Sequence, residues 1–315
     1  MKLKIYEGIR KGYPRLAHYS SRLAAYGQLV RPYTLLAPAL GGLAGSLIPF
    51  FYYSNSIAIV ELLLSNWQKV LFLTLFFVCV QAGGQTINHV YDVEIDRLTK
   101  PYRPLVRGIL SPEEAKRLGI ILIVISIISS FLLGSLVLGL LGLVGTFLSV
   151  FYSAEPIRAK KRHWIISLSW QAMARGFLPF MMIWLTYVPH LELFPLLLSL
   201  SAFLWVFAFQ STKDFADVEG DKKFGIRTLP VVYGRDAISY IRRLGIIAVW
   251  STVLLWFIRP AFALLTFVLA VIARTICWSL ERNVVLEKFE NNLAWLLFYL
   301  GLGLYFLLTP AILLL

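Results

Sequence analysis

Long runs of apolar residues occupy most of this 315-residue chain, and they constrain its fold more than any other feature. The chain is 58% hydrophobic and only 15% charged, whereas soluble domains average roughly 45–50% apolar and about 25% charged residues. The excess is too large for one soluble core, and a membrane-crossing helix needs a run of roughly 20 apolar residues. The sequence therefore predicts an all-α, polytopic membrane helical bundle.

The runs predict about nine transmembrane helices in a single membrane-embedded domain that covers residues 1–315. The stretch from Leu118 to Tyr152 is too long for one span, so we divide it near Gly134, and we expect a short turn at Arg259-Pro260. The predicted spans are 32–53, 69–90, 117–133, 135–152, 164–187, 193–213, 241–258, 260–280 and 292–315.

Positive charge lies between the apolar runs and gives the chain a net charge of +13. Lys and Arg fill the basic N-terminal segment 1–31 and the connections after spans two, four, six and eight. By the positive-inside rule, the N-terminus and these connections lie on the cytoplasmic side of the cell membrane, and the C-terminus lies outside. Anionic lipid headgroups explain this charge better than nucleic acid does. The N-terminal segment lacks an early apolar core, so we do not expect a cleavable signal peptide.

Two cysteines and two arginines lie well inside the predicted spans. Cys79 and Cys277 suit neither a disulfide framework nor a metal site, so we interpret both as buried apolar residues. Arg175 and Arg274 are costly within a membrane, and such charges are often functional. The sequence leaves open whether these two arginines serve function or structure.

An acid-rich motif occurs twice in the chain, four spans apart. The first motif covers residues 88–96 at the end of span two, and the second covers residues 214–221 at the end of span six. Basic residues and a proline follow each motif. The spacings i, i+4, i+8 and i, i+3, i+7 place the polar residues of each motif on one face of a helix.

Like charges on one face repel each other, and a bound cation relieves that repulsion. Carboxylate and amide oxygens suit Mg²⁺, which often bridges carboxylates to a substrate phosphate. We therefore predict that the two motifs hold a diphosphate through Mg²⁺, with Asp92 and Asp217 as catalytic residues. Glu94 and Glu219 are interpreted as solvated or as residues that support the metal ligands without binding the metal. The predicted Mg²⁺-binding residues are Asn88, Asp92, Asp96, Asp214, Asp217 and Asp221.

A third polar cluster follows span four, on the same predicted side as both acid motifs. Arg158 and Lys160 in this cluster could neutralise a departing diphosphate, and Tyr152 could donate a hydrogen bond to it. Two further residues are candidates for contact with the diphosphate. They are Lys213, directly before the second motif, and Arg31, where span one enters the membrane.

At these residues the chain resembles the UbiA superfamily of intramembrane prenyltransferases, whose first motif is usually written N-D-x-x-D-x-x-x-D. The Lys-Pro-Tyr-Arg-Pro stretch after the first motif, the Gly-Ile-Arg-Thr-Leu-Pro stretch after the second and the segment from Tyr152 to Lys160 also resemble that superfamily. Two departures are His89, where the family often has Asp, and Glu155, where proline is common. The resemblance implies a nine-helix bundle around a central cavity that opens to the cytoplasmic side and to lipid. It also implies Mg²⁺ as cofactor and an isoprenyl diphosphate as donor.

The identity of the prenyl acceptor stays open at this level. It is either an aromatic quinone precursor, such as 4-hydroxybenzoate, or a glycerol-phosphate ether lipid. A membrane cation or solute carrier is the alternative class, but carriers usually place their site near the membrane midplane. Lipid enzymes that move a phosphoalcohol group usually carry a D-G-x-x-A-R stretch, which this chain lacks.

Overall fold

The computed structural model describes residues 22–53, 59–286 and 291–315, and almost all regular structure in these ranges is helical. The α-helices are α1 (Arg22–Val30), α2 (Leu36–Leu43), α3 (Ile48–Tyr53), α4 (Ile59–Ser65), α5 (Trp67–Tyr91), α6 (Val93–Thr99), α7 (Pro112–Phe131), α8 (Leu136–Phe151), α9 (Trp164–Ala172), α10 (Leu178–Tyr187), α11 (Leu193–Phe209), α12 (Val218–Lys223), α13 (Leu229–Tyr233), α14 (Ala237–Ser251), α15 (Ala263–Glu281) and α16 (Leu293–Leu314).

Shorter helical pieces extend or join several of these α-helices. They are the 3₁₀ segments Pro32–Leu35, Gly45–Leu47, Ala159–Lys161, Gln210–Ala216, Gly234–Asp236, Thr252–Phe257 and Pro260–Phe262, and the π-helical segment Met173–Phe177. Two short antiparallel strands, β1 (Val285–Leu286) and β2 (Asn291–Asn292), pair Val285 with Asn292. They are the only strands in the described ranges.

The predicted membrane spans coincide with helices. In the described part of the chain, six helical stretches are long and apolar enough to cross a membrane: Pro32–Tyr53, Trp67–Tyr91, Leu193–Ala216, Leu229–Phe257, Pro260–Glu281 and Leu293–Leu314. The remaining predicted spans coincide with α7, α8 and the α9–α10 stretch, and α8 is a shorter apolar helix of 16 residues. The polytopic, all-α membrane fold is therefore confirmed, while the number nine stays a prediction.

Both predicted breaks in the apolar runs are present. Gly134 separates α7 from α8 with φ +82°, a left-handed conformation that glycine adopts without a side-chain clash. Arg259 has an extended backbone between the 3₁₀ segments Thr252–Phe257 and Pro260–Phe262. The residue before a proline disfavours the helical conformation, which explains the turn.

Small residues bring the central helix α5 close to its neighbours α2, α7 and α8. A Cβ atom on Gly83 of α5 would lie 2.9 Å from Ile123 and 3.2 Å from the carbonyl oxygen of Gly119 on α7. Close contact through small residues is typical of helix pairs in membranes, where packing replaces the hydrophobic effect as the main attraction. Cys79 and Cys277 are buried free thiols, as the sequence predicted.

The connections after spans two, four and six meet at one end of the bundle. α6 packs against α12, and strand β2, which follows span eight, lies against the 3₁₀ segment Gln210–Ala216. The two acid motifs therefore share one side, as predicted. Of the basic segment 1–31, residues 1–21 lie outside the described residues, and α1 packs against α5.

Candidate active site

The first acid motif lies where α5 passes into α6. The backbone at Asp92 departs from helical geometry (φ −106°, ψ 7°), yet the Asp92 N–H donates to the Asn88 carbonyl (3.0 Å) and the Asp96 N–H donates to the Asp92 carbonyl (2.8 Å). The four-residue periodicity therefore survives the break, and all three side chains face one cavity. The Asn88 amide donates to Asp92 (2.7 Å) and to the Ser153 hydroxyl (2.8 Å), which ties the motif to the third cluster.

The second acid motif starts in 3₁₀ geometry and not in the α-helix that the sequence suggested. Asp214 belongs to the 3₁₀ segment Gln210–Ala216, and Asp217 precedes α12. The Asp217 N–H donates to the Asp214 carbonyl (3.1 Å), and the Asp221 N–H donates to the Asp217 carbonyl (2.8 Å). Because three- and four-residue turns alternate, the three carboxylates still line the same cavity as the first motif.

Basic side chains neutralise four of the five motif aspartates. Lys160 and Arg158 contact Asp92, with the Arg158 guanidinium 3.4 Å away, and Arg103 pairs with Asp96 in a fully buried position. In the second motif, the Lys213 ammonium lies 2.7 Å from Asp214.

One ion pair joins the two motifs directly. The Lys100 ammonium, from the first motif's connection, donates to both carboxylate oxygens of Asp217 at 2.5 Å and 2.6 Å. The side chains are only 12% and 17% exposed, respectively. The pair therefore holds the two halves of the cavity together from residues 117 positions apart.

The ion pairs keep two of these carboxyls ionised. Burial alone would raise the pKa of Asp92, but the Lys160 and Arg158 side chains hold that pKa below its usual value. Burial likewise opposes ionisation of Asp217, and the adjacent Lys100 ammonium holds the pKa of Asp217 below its usual value. Burial lowers the pKa of Lys160 itself, even though Asp92 favours its charged form.

The pKa values of the other two motif carboxyls outside the membrane-spanning stretches, those of Asp96 and Asp221, are raised. Burial raises the pKa of Asp96 despite its contact with Arg103. Burial together with the nearby Asp214 and Asp217 carboxylates raises the pKa of Asp221 to about 8. Among the described residues, no Lys or Arg forms an ion pair with Asp221, which accepts a hydrogen bond from the Thr228 hydroxyl at 3.5 Å. Asp221 is thus the position where added positive charge would be most stabilising.

The cavity brings together nearly all the residues that the sequence singled out. Its walls include both motifs and four of the five predicted diphosphate contacts, namely Arg31, Tyr152, Lys160 and Lys213. The structure places Arg158 behind Asp92, where its guanidinium donates to the Tyr91 carbonyl (3.1 Å) and contacts Glu155 (3.3 Å). Arg158 therefore does not line the cavity itself and influences it through its contact with Asp92.

Backbone strain also concentrates at this site. Arg31 (φ 49°) and Arg158 (φ 38°) are two of the three non-glycine residues with a left-handed φ in the described ranges. Such conformations cost roughly 1–3 kcal/mol each and persist where the surroundings enforce them, often at functional sites. His89, the departure from the family motif, is buried and does not line the cavity.

Three charged cavity residues were missed as site candidates in the sequence. Lys100 and Arg103 belong to the basic stretch after the first motif, and their position directly behind the acids was the available signal. Arg175 was marked only as a charge inside a span. It lies on the π-helical segment Met173–Phe177 and donates to Gln210 (3.3 Å) and to the Tyr299 hydroxyl (3.1 Å). π-Helical turns often occur at functional sites because they redirect a side chain.

The wall of the cavity away from the acid motifs is largely apolar. It is formed by side chains of α5, α10 and α16, and its main members are Phe76, Phe77, Val80, Leu178, Met182 and Trp295. A charged mouth above an apolar pocket suits a substrate with an anionic head and a hydrocarbon tail.

The donor set fits a divalent cation that shares its ligands with a substrate. The motifs supply carboxylate and amide oxygens, which Mg²⁺ prefers. Within the described ranges, no group of three or more His, Cys, Asp or Glu side chains is placed to hold a metal ion by itself. Oxygens from water or a bound phosphate would have to complete the coordination, which is the usual arrangement for Mg²⁺.

A polar site at one end of a helical membrane bundle, open to an apolar pocket, defines a membrane-embedded enzyme acting on a lipid-like anion. The chain belongs to the UbiA prenyltransferase family, whose model matches residues 46–302. It is therefore a prenyltransferase, and membership of this family argues against the alternative class, a membrane cation or solute carrier.

Relatives and solved structures agree with this assignment. Digeranylgeranylglyceryl phosphate synthase from Methanocaldococcus jannaschii is 29% identical over 232 residues, which cover 73% of this chain and 75% of the relative. Chloroplastic chlorophyll synthase from Avena sativa is 31% identical over 52% of this chain and 44% of the relative. The structure of a UbiA homologue from Archaeoglobus fulgidus bound to GPP and Mg²⁺ shares the fold, with a TM-score of 0.67 and 22% identity over 91% of this chain and 97% of that chain.

Proposed function

We propose that this enzyme transfers a polyprenyl group, such as geranylgeranyl, from its diphosphate to a glycerol-phosphate ether lipid. The observation that carries the proposal is the single cavity in which both Asp motifs and six basic side chains surround a mouth above an apolar wall. The diphosphate of the donor fits the charged mouth, and the prenyl chain fits the wall that includes Phe76, Leu178 and Trp295.

Mg²⁺ would be held between the donor's diphosphate and the carboxylates of the two motifs, with Asn88 as an additional oxygen ligand. When bound, the metal supplies Lewis-acid stabilisation of the negative charge on the leaving diphosphate. Asp221 supports the fit of Mg²⁺ to this site. Its carboxyl is buried beside the Asp214 and Asp217 carboxylates, and Asp221 itself has no basic partner in the described ranges. The Mg²⁺ that the A. fulgidus homologue binds agrees with this assignment.

The basic side chains at the mouth are proposed to stabilise the diphosphate as it departs. Lys160, Lys213 and Arg31 line the cavity and can place cationic groups against it, while the Tyr152 hydroxyl can donate a hydrogen bond. Arg158 would act through Asp92, which it contacts from behind. Preorganised cations in a partly dry site stabilise developing charge more strongly than water does.

A phosphate-bearing acceptor is supported by charge at the cavity wall. In the described part of the chain, no carboxylate pairs with Arg31 or Arg175, although both line the cavity. Guanidinium groups bind phosphate oxygens well because they present several donors in one plane. The named activity of the M. jannaschii relative points the same way.

The protein is an integral multi-pass membrane protein, and its orientation is part of the proposal. The N-terminus and the loops of the active site are proposed to face the cytoplasm across the cell membrane. The clustering of three basic connections at the cavity mouth supports this orientation. The whole of residues 1–315 is proposed to form one prenyltransferase domain, with no nucleic-acid partner.

The test uses purified full-length protein with Mg²⁺ and labelled geranylgeranyl diphosphate. We expect pyrophosphate release and alkylation of a prenylated glycerol phosphate, but no product with 4-hydroxybenzoate. Product on the aromatic ring alone would refute the acceptor and leave the donor chemistry standing.

Single-site variants test the assignment of the two motifs. Asp92→Ala and Asp217→Ala should abolish turnover while the helical content stays unchanged. Glu94→Ala and Glu219→Ala, at exposed neighbouring positions, are matched controls that should retain activity. Undiminished turnover in both aspartate variants would overturn the metal assignment.

A further inference from the structure

A second groove lies on the outer face of the bundle, remote from the acid motifs. It runs between α14 and α15 and has Phe209 of α11 as its floor. Arg242 and Glu281 lie at one end of the groove, and Arg274 lies about two helical turns further along α15. The rest is apolar and includes the strongly exposed Trp250.

Arg274 is exposed in the middle of an apolar, membrane-length helix. It lies seven residues before Glu281, the last residue of α15, and thus about 10 Å along the helix axis from that end. Glu281 itself pairs with Arg242. No carboxylate of the described residues pairs with Arg274. An unpaired charge at such depth is costly in a bilayer unless the side chain extends to the interface or meets an anion there.

Small residues create the apolar part of the groove. Gly245 lets α14 approach α11 so closely that a Cβ atom there would lie 2.6 Å from the Phe209 ring. Ala270 and Ala273 keep the facing surface of α15 shallow. The result is a channel along the helices that a single hydrocarbon chain can fill, between side chains such as Trp250.

We propose that this groove binds one anionic phospholipid of the surrounding bilayer, with its phosphate at Arg274 and Arg242 and one acyl chain along the groove. Two guanidiniums against one carboxylate leave net positive charge in an otherwise apolar channel, which complements a phosphate joined to a hydrocarbon tail. The end of the groove that carries Arg242 and Glu281 lies on the same side of the bundle as the acid motifs, because β2, which follows α15, packs beside the second motif. That side carries the basic connections, so it would face the more anionic leaflet.

The test measures lipid binding to the full-length protein after delipidation in a neutral detergent. Native mass spectrometry would compare phosphatidylglycerol with phosphatidylcholine of identical acyl chains. We expect one tightly bound phosphatidylglycerol and about fivefold weaker binding of it by the Arg274→Gln variant, the effect of one cationic contact near a membrane surface. Arg243→Gln, which removes an exposed charge from the same turn of α14 but outside the groove, is the matched control and should bind as the wild type does.

A second variant tests the channel and not the charge. Ala270→Phe fills the apolar part of the groove and should weaken phosphatidylglycerol binding even though every arginine is kept. Equal binding of the two lipids, or an unchanged affinity in both groove variants, would overturn the proposal. A protein dimer that Ala270→Phe abolishes, with no lipid preference, would also overturn it and would identify a second copy as the occupant.

Discussion

The Lys100–Asp217 ion pair predicts that two substitutions three residues apart, Lys100→Gln and Arg97→Gln, lower the free energy of unfolding by very different amounts. Lys100→Gln removes the cation that lies 2.5 Å and 2.6 Å from the Asp217 oxygens in a site where both side chains are at most 17% exposed. At an effective dielectric constant of ~20, the gross attraction at this distance is about 6 kcal/mol, and desolvation offsets much of it. Removing one partner of such a pair leaves a buried charge uncompensated, so we expect a loss of about 3–5 kcal/mol of unfolding free energy.

Arg97→Gln, on α6 and three residues before Lys100, is the matched control. Arg97 pairs with Glu94 at 2.8 Å, but the two side chains are 59% and 63% exposed. Surface pairs contribute roughly 0–1 kcal/mol, so this variant should be nearly neutral.

The assay is reversible unfolding in mixed detergent micelles, followed by circular dichroism. A double variant, Lys100→Gln with Asp217→Asn, should recover about 2 kcal/mol relative to the sum of the single losses, because the two side chains interact directly. Equal losses in Lys100→Gln and Arg97→Gln, or strict additivity in the double variant, would refute the argument that this pair joins the two motifs energetically.

Three further predictions concern pH and packing. Because a metal ligand must be ionised and the pKa of Asp221 is raised to about 8, the apparent Mg²⁺ affinity in the presence of diphosphate should rise with pH up to about 8 and then level off; titration calorimetry of Asp221→Asn should show no such rise. Gly176→Ala should lower the unfolding free energy by about 1–3 kcal/mol, since its Cβ would lie 2.6 Å from the Ala202 carbonyl oxygen, whereas Gly27→Ala, with nothing within 4 Å, should be neutral or stabilising. Ser111→Ala removes the N-cap of α7, whose hydroxyl accepts from the Glu114 N–H at 3.2 Å, and should cost about 1 kcal/mol by thermal unfolding.

Much of the fold was predictable because membrane helices are defined by local properties. Every predicted span coincides with a helix, and the breaks at Gly134 and Arg259-Pro260 follow from backbone preferences of single residues. The four-residue spacing of the first motif continues through the break at Asp92. The sequence therefore predicted correctly that its three side chains share one face. The second motif begins in a 3₁₀ segment. The residue spacing of this motif is compatible with a 3₁₀ helix and with an α-helix, so the sequence could not distinguish the two.

The sequence by itself determined the membrane fold, the two acid motifs and their shared side, since apolar length, helical periodicity and charge asymmetry are written into consecutive residues. Only the tertiary structure decided which basic side chain meets which acid. Lys100 reaches Asp217 across 117 positions, and Lys160 reaches Asp92 across 68. Contacts of this kind depend on how helices pack, and packing sums many weak, non-local interactions that no local pattern encodes. The same packing separated two arginines that the sequence could not distinguish, placing Arg175 in the cavity and Arg274 in the outer groove.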